Sequence, residues 1–120
     1  MRALVAVLCL AFVLSLATVA VAQDLSVQIQ VAPATIVLKA PCQWVTVHAD
    51  ISFSSVSDET VQINGSDADL VFPDNRGELV AKIAFEEIAS MVAAPSAEIT
   101  LTGVTTGDVP FSGSATVRVK

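Results

Sequence analysis

From Trp44 to Phe53 the sequence alternates without a break. Val45, Val47, Ala49, Ile51 and Phe53 share one parity; Trp44, Thr46, His48, Asp50 and Ser52 share the other. A period of two is the signature of a strand with one dry face and one wet face. The reading puts Val47 and Ile51 in the core and leaves Thr46 exposed.

The same period recurs along the chain. Leu25, Val27, Ile29 and Val31 alternate with Ser26, Gln28 and Gln30, and Thr35 to Leu38 follows as a second short strand beyond Pro33. A proline there suits an edge strand that changes direction or partner. Val56 to Glu59 reads as polar connection and Thr60 to Ile63 as a strand. Asn64-Gly65 closes that strand as a hairpin turn, since both residues tolerate positive φ. Ala68 to Phe72 is the return strand, and Pro73-Asp74-Asn75-Arg76-Gly77 is a dense turn. Glu78 to Phe85 alternates around Leu79, Ala81, Ile83 and Phe85. The period then lengthens: Phe85, Ile88 and Met91-Val92 recur at three to four residues, which predicts one short crossing helix before Pro95. Ala97 to Thr105 and Phe111 to Val119 are the last strands, with Gly113 on the inward parity, where a bulge or a close backbone approach fits. About seven short strands at this spacing predict an all-β, antiparallel two-sheet sandwich.

Ahead of the strands stands a different kind of sequence. Arg2 precedes an almost unbroken apolar run from Ala3 to Val21, and Ala20-Val21-Ala22 places small residues where a signal peptidase reads. Residues 1–22 are therefore expected to be a signal helix, cleaved before Gln23, and 23–120 a single domain exported to the periplasm or the exterior. The rival reading of the run is a membrane anchor. With cleavage no membrane segment is expected to remain. Arg2 and Cys9 leave with the leader, so five basic residues face all twelve acidic ones, a net charge of −7. Such a surface repels phosphate backbones, and no nucleic-acid partner is expected. Cys42 is then the only cysteine, so no disulfide can form within the domain.

Four stretches resemble a known module: Thr35-Ile36-Val37-Leu38-Lys39, Trp44-Val45-Thr46-Val47, Val109-Pro110-Phe111-Ser112-Gly113-Ser114 and Thr116-Val117-Arg118-Val119. Together they look like the short immunoglobulin-like module of secreted and surface-attached prokaryotic proteins, which often stands beside calcium-binding repeats. The resemblance runs from about Val31 to Lys120 and implies an immunoglobulin-like type of sandwich. Its motifs mark strand starts and turns and carry no catalytic residues. Similar modules have an Asp-rich, calcium-loop-like stretch before the strand that here begins at Glu78, whereas this chain has only Asp74-Asn75-Arg76-Gly77-Glu78.

Chemistry-bearing residues are few. A Cys42, His48, Asp50 hydrolase would need contact distances, but six residues of extended strand hold Cys42 and His48 about 20 Å apart. Zinc-ligand spacing is absent. Asp67, Asp69, Asp74, Asn75 and Glu78 are oxygen donors around two turns; Asp67, Asp69, Asp74 and Glu78 are the calcium candidates. Asn64-Gly65-Ser66 matches a glycosylation sequon, which the hairpin turn explains. Trp44, the sole tryptophan, is either a contact surface or packed beneath the crossing segment near Phe85, and packing is the expectation. The functional expectation is a non-enzymatic structural or protein-protein interaction domain whose partner is an extracellular or periplasmic protein. The alternative is a calcium- or ligand-binding module using the turns from Asp67 to Glu78.

Overall fold

The computed structural model describes residues 24–40 and 42–120. The expected leader 1–22, its expected cleavage site before Gln23, and Cys9 lie outside the described residues. Ten strands form two sheets, an all-β sandwich. They are β1 (Leu25–Ser26), β2 (Ile29–Ala32), β3 (Thr35–Ile36), β4 (Trp44–Ser52), β5 (Val56–Ile63), β6 (Ser66–Asp67), β7 (Leu70–Pro73), β8 (Glu78–Ala84), β9 (Ser96–Thr105) and β10 (Pro110–Val119). The larger sheet runs β1-β10-β9-β5-β6, with β3 also on β10; the smaller runs β2-β4-β8-β7. Among the described residues no helix is long and apolar enough to cross a membrane.

The strand count exceeds the expected seven because the chain twice divides one alternating segment between the sheets. Its start pairs parallel with β10 at Leu25↔Phe111, crosses to pair antiparallel with β4 at Ile29↔Ala49, and returns past Pro33 to pair parallel with the far end of β10 at Thr35↔Arg118. Gly113 makes the first crossing possible. A Cβ there would fall against the Val27 carbonyl oxygen, and the Val27 N–H donates to Ser112 O at 2.9 Å. The second division follows the Asn64-Gly65 turn, both residues at positive φ as expected: β6 stays in the larger sheet and β7 joins the smaller.

Two local expectations are corrected. Val56 to Glu59 is not connection; it belongs to β5, whose register against β9 shifts between Ser57 and Gln62. Thr60 bridges that irregularity: its hydroxyl donates to Ser57 O at 2.6 Å, and its oxygen accepts the Val104 N–H at 2.9 Å. The crossing segment is not one helix but two 3₁₀ turns, Phe85–Glu87 and Ala89–Met91. Phe85, Ile88 and Val92 are buried as expected, whereas Met91 is exposed. The tighter 3₁₀ spacing carries Met91 off the buried side.

The core lies between the sheets. Val45, Val47, Ala49, Leu79, Ala81 and Ile83 of the smaller sheet face Ile99, Leu101, Phe111, Val117 and Val119 of the larger. Among the described residues no polar or charged side chain is buried, so the stabilisation is apolar. Val47 is buried as expected. Ile51 is only partly buried and Thr46 is half-buried rather than exposed, because the β4–β8 register shifts between His48 and Ser52 and Lys82 stands opposite Thr46.

Candidate functional site

The larger sheet turns small hydroxyls to solvent. Ser112 pairs with Thr102, Ser114 with Thr100 and Thr116 with Glu98 across β9 and β10. The Thr100 and Ser114 hydroxyls lie 3.0 Å apart, within one hydrogen bond.

The outer face of the smaller sheet differs. The pairings set its residues in rows: Trp44 beside Ala84; Leu70, Lys82, Thr46 and Ala32; then Phe72, Val80, His48 and Gln30. Trp44 is 47% exposed, Leu70 51% and Phe72 38%. The expectation that Trp44 packs beneath the crossing segment is thus wrong. β4 starts on the outward parity, and the crossing segment instead buries Phe85, Ile88 and Val92. Val80 sits in the middle of this face and is 1% exposed, yet it lies outside the core cluster. Phe72 and His48 stand on either side of it in the register. Lys82 Nζ stands 6.0 Å from the Phe72 ring centroid, at the outer limit of a cation–π contact.

Beside this apolar strip is a cleft of about 370 Å³, lined by Gln28, Gln30, His48, Asp50, Asp74, Arg76 and Glu78 and by Ile29 and Ala49. Three elements build it. Register brings β2 against β4 at Gln30↔His48, Asp50 N–H donates to Gln28 O at 2.9 Å, and the β7–β8 turn supplies Asp74, Arg76 and Glu78. Asp74 Oδ1 accepts the N–H groups of Arg76 at 2.8 Å and Glu78 at 3.0 Å, which ties the turn, while Gly77 supplies its positive φ. The Glu78 N–H above all holds the Asp74 carboxyl below its usual range against some desolvation; the Arg76 N–H and charge and His48 add to the lowering. Arg76 Nη2 lies 2.9 Å from Glu78 Oε1.

The four calcium candidates do not converge. Asp67 is in the larger sheet, where its Oδ1 accepts from Gln62 Nε2 at 3.0 Å. Asp69 Oδ2 accepts the Ala84 N–H at 2.9 Å, and a hydrogen bond with the Glu87 side chain lowers the Asp69 pKa while raising that of Glu87. Only Asp74 and Glu78 share a site, the cleft. Among the described residues no three His, Cys, Asp or Glu side chains are grouped to hold a metal ion. Cys42 is exposed, at positive φ just before β4, and His48 and Asp50 are exposed further along that strand. Asn64 of the sequon is occupied within the fold: its Oδ1 accepts the Thr100 N–H at 2.8 Å.

Sequence reasoning placed Trp44, His48 and Asp50 on one outer face. It missed Gln28, Gln30, Leu70, Phe72, Val80 and Arg76 as parts of the same surface. Nothing local turns Leu70 and Phe72 outward, since with Ala68 they alternate with Asp69 and read as a core parity, and the register joining β2, β4 and the β7–β8 turn is not a local signal. No protein-family model matches the chain, and no curated protein and no solved structure matches it either.

Proposed function

We propose that this is a secreted, non-enzymatic protein-interaction domain that engages its partner through the outer face of the smaller sheet. The observation that carries the proposal is the contrast across the middle of the two sheets: Trp44, Leu70 and Phe72 stand exposed around a filled centre on one, and small hydroxyl side chains stand opposite each other across β9 and β10 on the other, whose exposed Leu25 lies at its edge in β1. Exposed aromatic and aliphatic side chains grouped on one rigid face are a common signature of a contact surface. The apolar leader-like run supports export, and a two-sheet sandwich of this size supports the immunoglobulin-like type.

The test is comparative capture from the native exported fraction. Wild type, a Trp44→Ala/Phe72→Ser variant and a Thr116→Ala variant serve as baits. A partner retained by wild type and Thr116→Ala and lost by the double variant supports the reading. A partner held equally by all three contradicts it.

A further inference from the structure

We infer that the cleft beside the apolar strip accepts a basic side chain, so that the partner presents a segment in which arginine or lysine stands next to apolar residues. The inference rests on the reading of this face as the contact surface and names the chemistry of what docks there.

Charge gives the first argument. Asp50, Asp74 and Glu78 share the cleft with Arg76, which is already paired with Glu78, and with the imidazole of His48, so acidic groups outnumber basic ones. The chain as a whole carries −6. The field over this cleft therefore attracts positive charge and repels carboxylates and phosphates. Asp74 is held ionised by the N–H groups that it accepts, so its charge persists into mildly acidic conditions.

Shape and hydrogen bonding decide what kind of cation fits. The carboxylates are spread around the cleft and are not grouped as metal ligands, which disfavours a compact ion. Among the described residues, the side chains of Gln28, Gln30, His48 and Asp50 take part in none of the hydrogen bonds within the protein. Their free acceptors match a planar group with several N–H donors. Guanidinium has five in a fixed fork and is weakly hydrated, so it suits a half-open site better than ammonium.

The neighbouring strip argues for a protein over a sugar. Leu70 is aliphatic and is the most exposed large apolar residue described. A mixed aliphatic and aromatic patch with an adjacent charged pocket is what an interface core with an arginine anchor needs. Trp44 to Asp50 spans about 20 Å of β4, long enough for an extended segment to lie over both features.

Trp44 is the sole tryptophan, so its emission reports occupancy of this face directly. The probe is acetyl-Leu-Arg-Leu-Arg-Leu-amide, titrated beside the same peptide with citrulline, which keeps the planar shape but loses the charge and two of the five N–H donors, and with glutamate. Cellohexaose serves as the neutral sugar arm. Saturable binding of the arginine peptide is expected, with about tenfold weaker binding of the citrulline peptide, consistent with a few charge-assisted contacts. Added salt should erode the difference. Asp50→Asn should shrink the arginine preference, and Thr116→Ala should leave it intact. Equal affinity for the arginine and citrulline peptides, preference for glutamate, binding of cellohexaose alone, or no saturable change would each overturn the inference. If the arginine preference fails while partner capture still depends on Trp44 and Phe72, only the chemistry assigned to the cleft falls. If capture ignores both residues, the functional reading falls with it.

Discussion

The two outer faces of this sandwich are made by the same rule and expose different side chains. Both sheets send alternate residues inward to one apolar core. On the larger sheet the outward residues are Ser112, Ser114, Thr100 and Thr102, which pair across β9 and β10. On the smaller sheet they include Trp44, Leu70, Phe72 and Val80 beside a cleft with three carboxylates. The difference teaches that period-two alternation does not mean dry inside and wet outside on every strand. β8 carries Leu79, Val80 and Ala81 in succession, all buried, so the smaller sheet has apolar packing on both sides.

The largest expected effect tests that second apolar side. Val80→Asp places a charge at a site with 1% exposure, and should cost about 3 kcal/mol or more. Thr102→Asp, outward on the other sheet, should cost less than about 1 kcal/mol. Urea unfolding of the two variants measures both. Similar losses would mean that the faces do not differ as described.

A smaller effect sharpens how the start of the chain is held between the sheets. Gly113→Ala pushes a Cβ into the Val27 carbonyl, a backbone atom that cannot rotate away. Gly103→Ala meets the Phe111 ring at 2.6 Å, and a ring can swing. Overpacking costs roughly 1–3 kcal/mol, and Gly113→Ala should lie at the upper end and Gly103→Ala at the lower. Hydrogen exchange should show Val27 N–H losing protection only in the Gly113 variant. The reverse order would place the crossing elsewhere.

The smallest effect is at the contact between Asp69 and Glu87. Glu87 has a raised pKa, chiefly from its hydrogen bond with Asp69, so its contribution is full below its unfolded value and is lost as pH rises through the folded one. Asp69 has a lowered pKa, chiefly from the same bond, so its contribution is present above its unfolded value and is lost as pH falls through the folded one. The contact is therefore strongest near the ordinary carboxylate range, around pH 4. Glu87→Gln supplies an amide donor at every pH. The variant's melting temperature should match wild type near pH 4 and lie slightly above it at pH 7. A wild type that melts higher at pH 7 would contradict the shared-proton contact.

Much of the fold is legible in the sequence because local rules suffice for it. Alternation marks β4, β8 and β10. Asn64-Gly65 and Pro73 to Gly77 mark the turns, and Gly113 marks a close approach. What is not legible depends on pairing between distant segments. Nothing local says that Leu25–Ser26 and Ile29–Ala32, one alternating run, belong to different sheets. Polar Ser57 to Thr60 extends a strand only because the Thr60 hydroxyl bonds Val104 across the sheet. The proposed contact face is half legible: Trp44, His48 and Asp50 share a parity on one strand, but Gln28, Gln30, Arg76 and Glu78 join them only through register. The acidic turns looked like one cluster in sequence, yet the chain changes sheets between Asp67 and Leu70 and separates them.

The central claim is that one outer face, and not the other, meets the partner. A photo-crosslinking residue can be placed at Leu70 on the smaller sheet or at Thr116 on the larger, in protein expressed in the cells that make it. The account predicts a discrete crosslinked species from position 70 and none from position 116. Crosslinking at 116 alone, or equally at both positions, would contradict it.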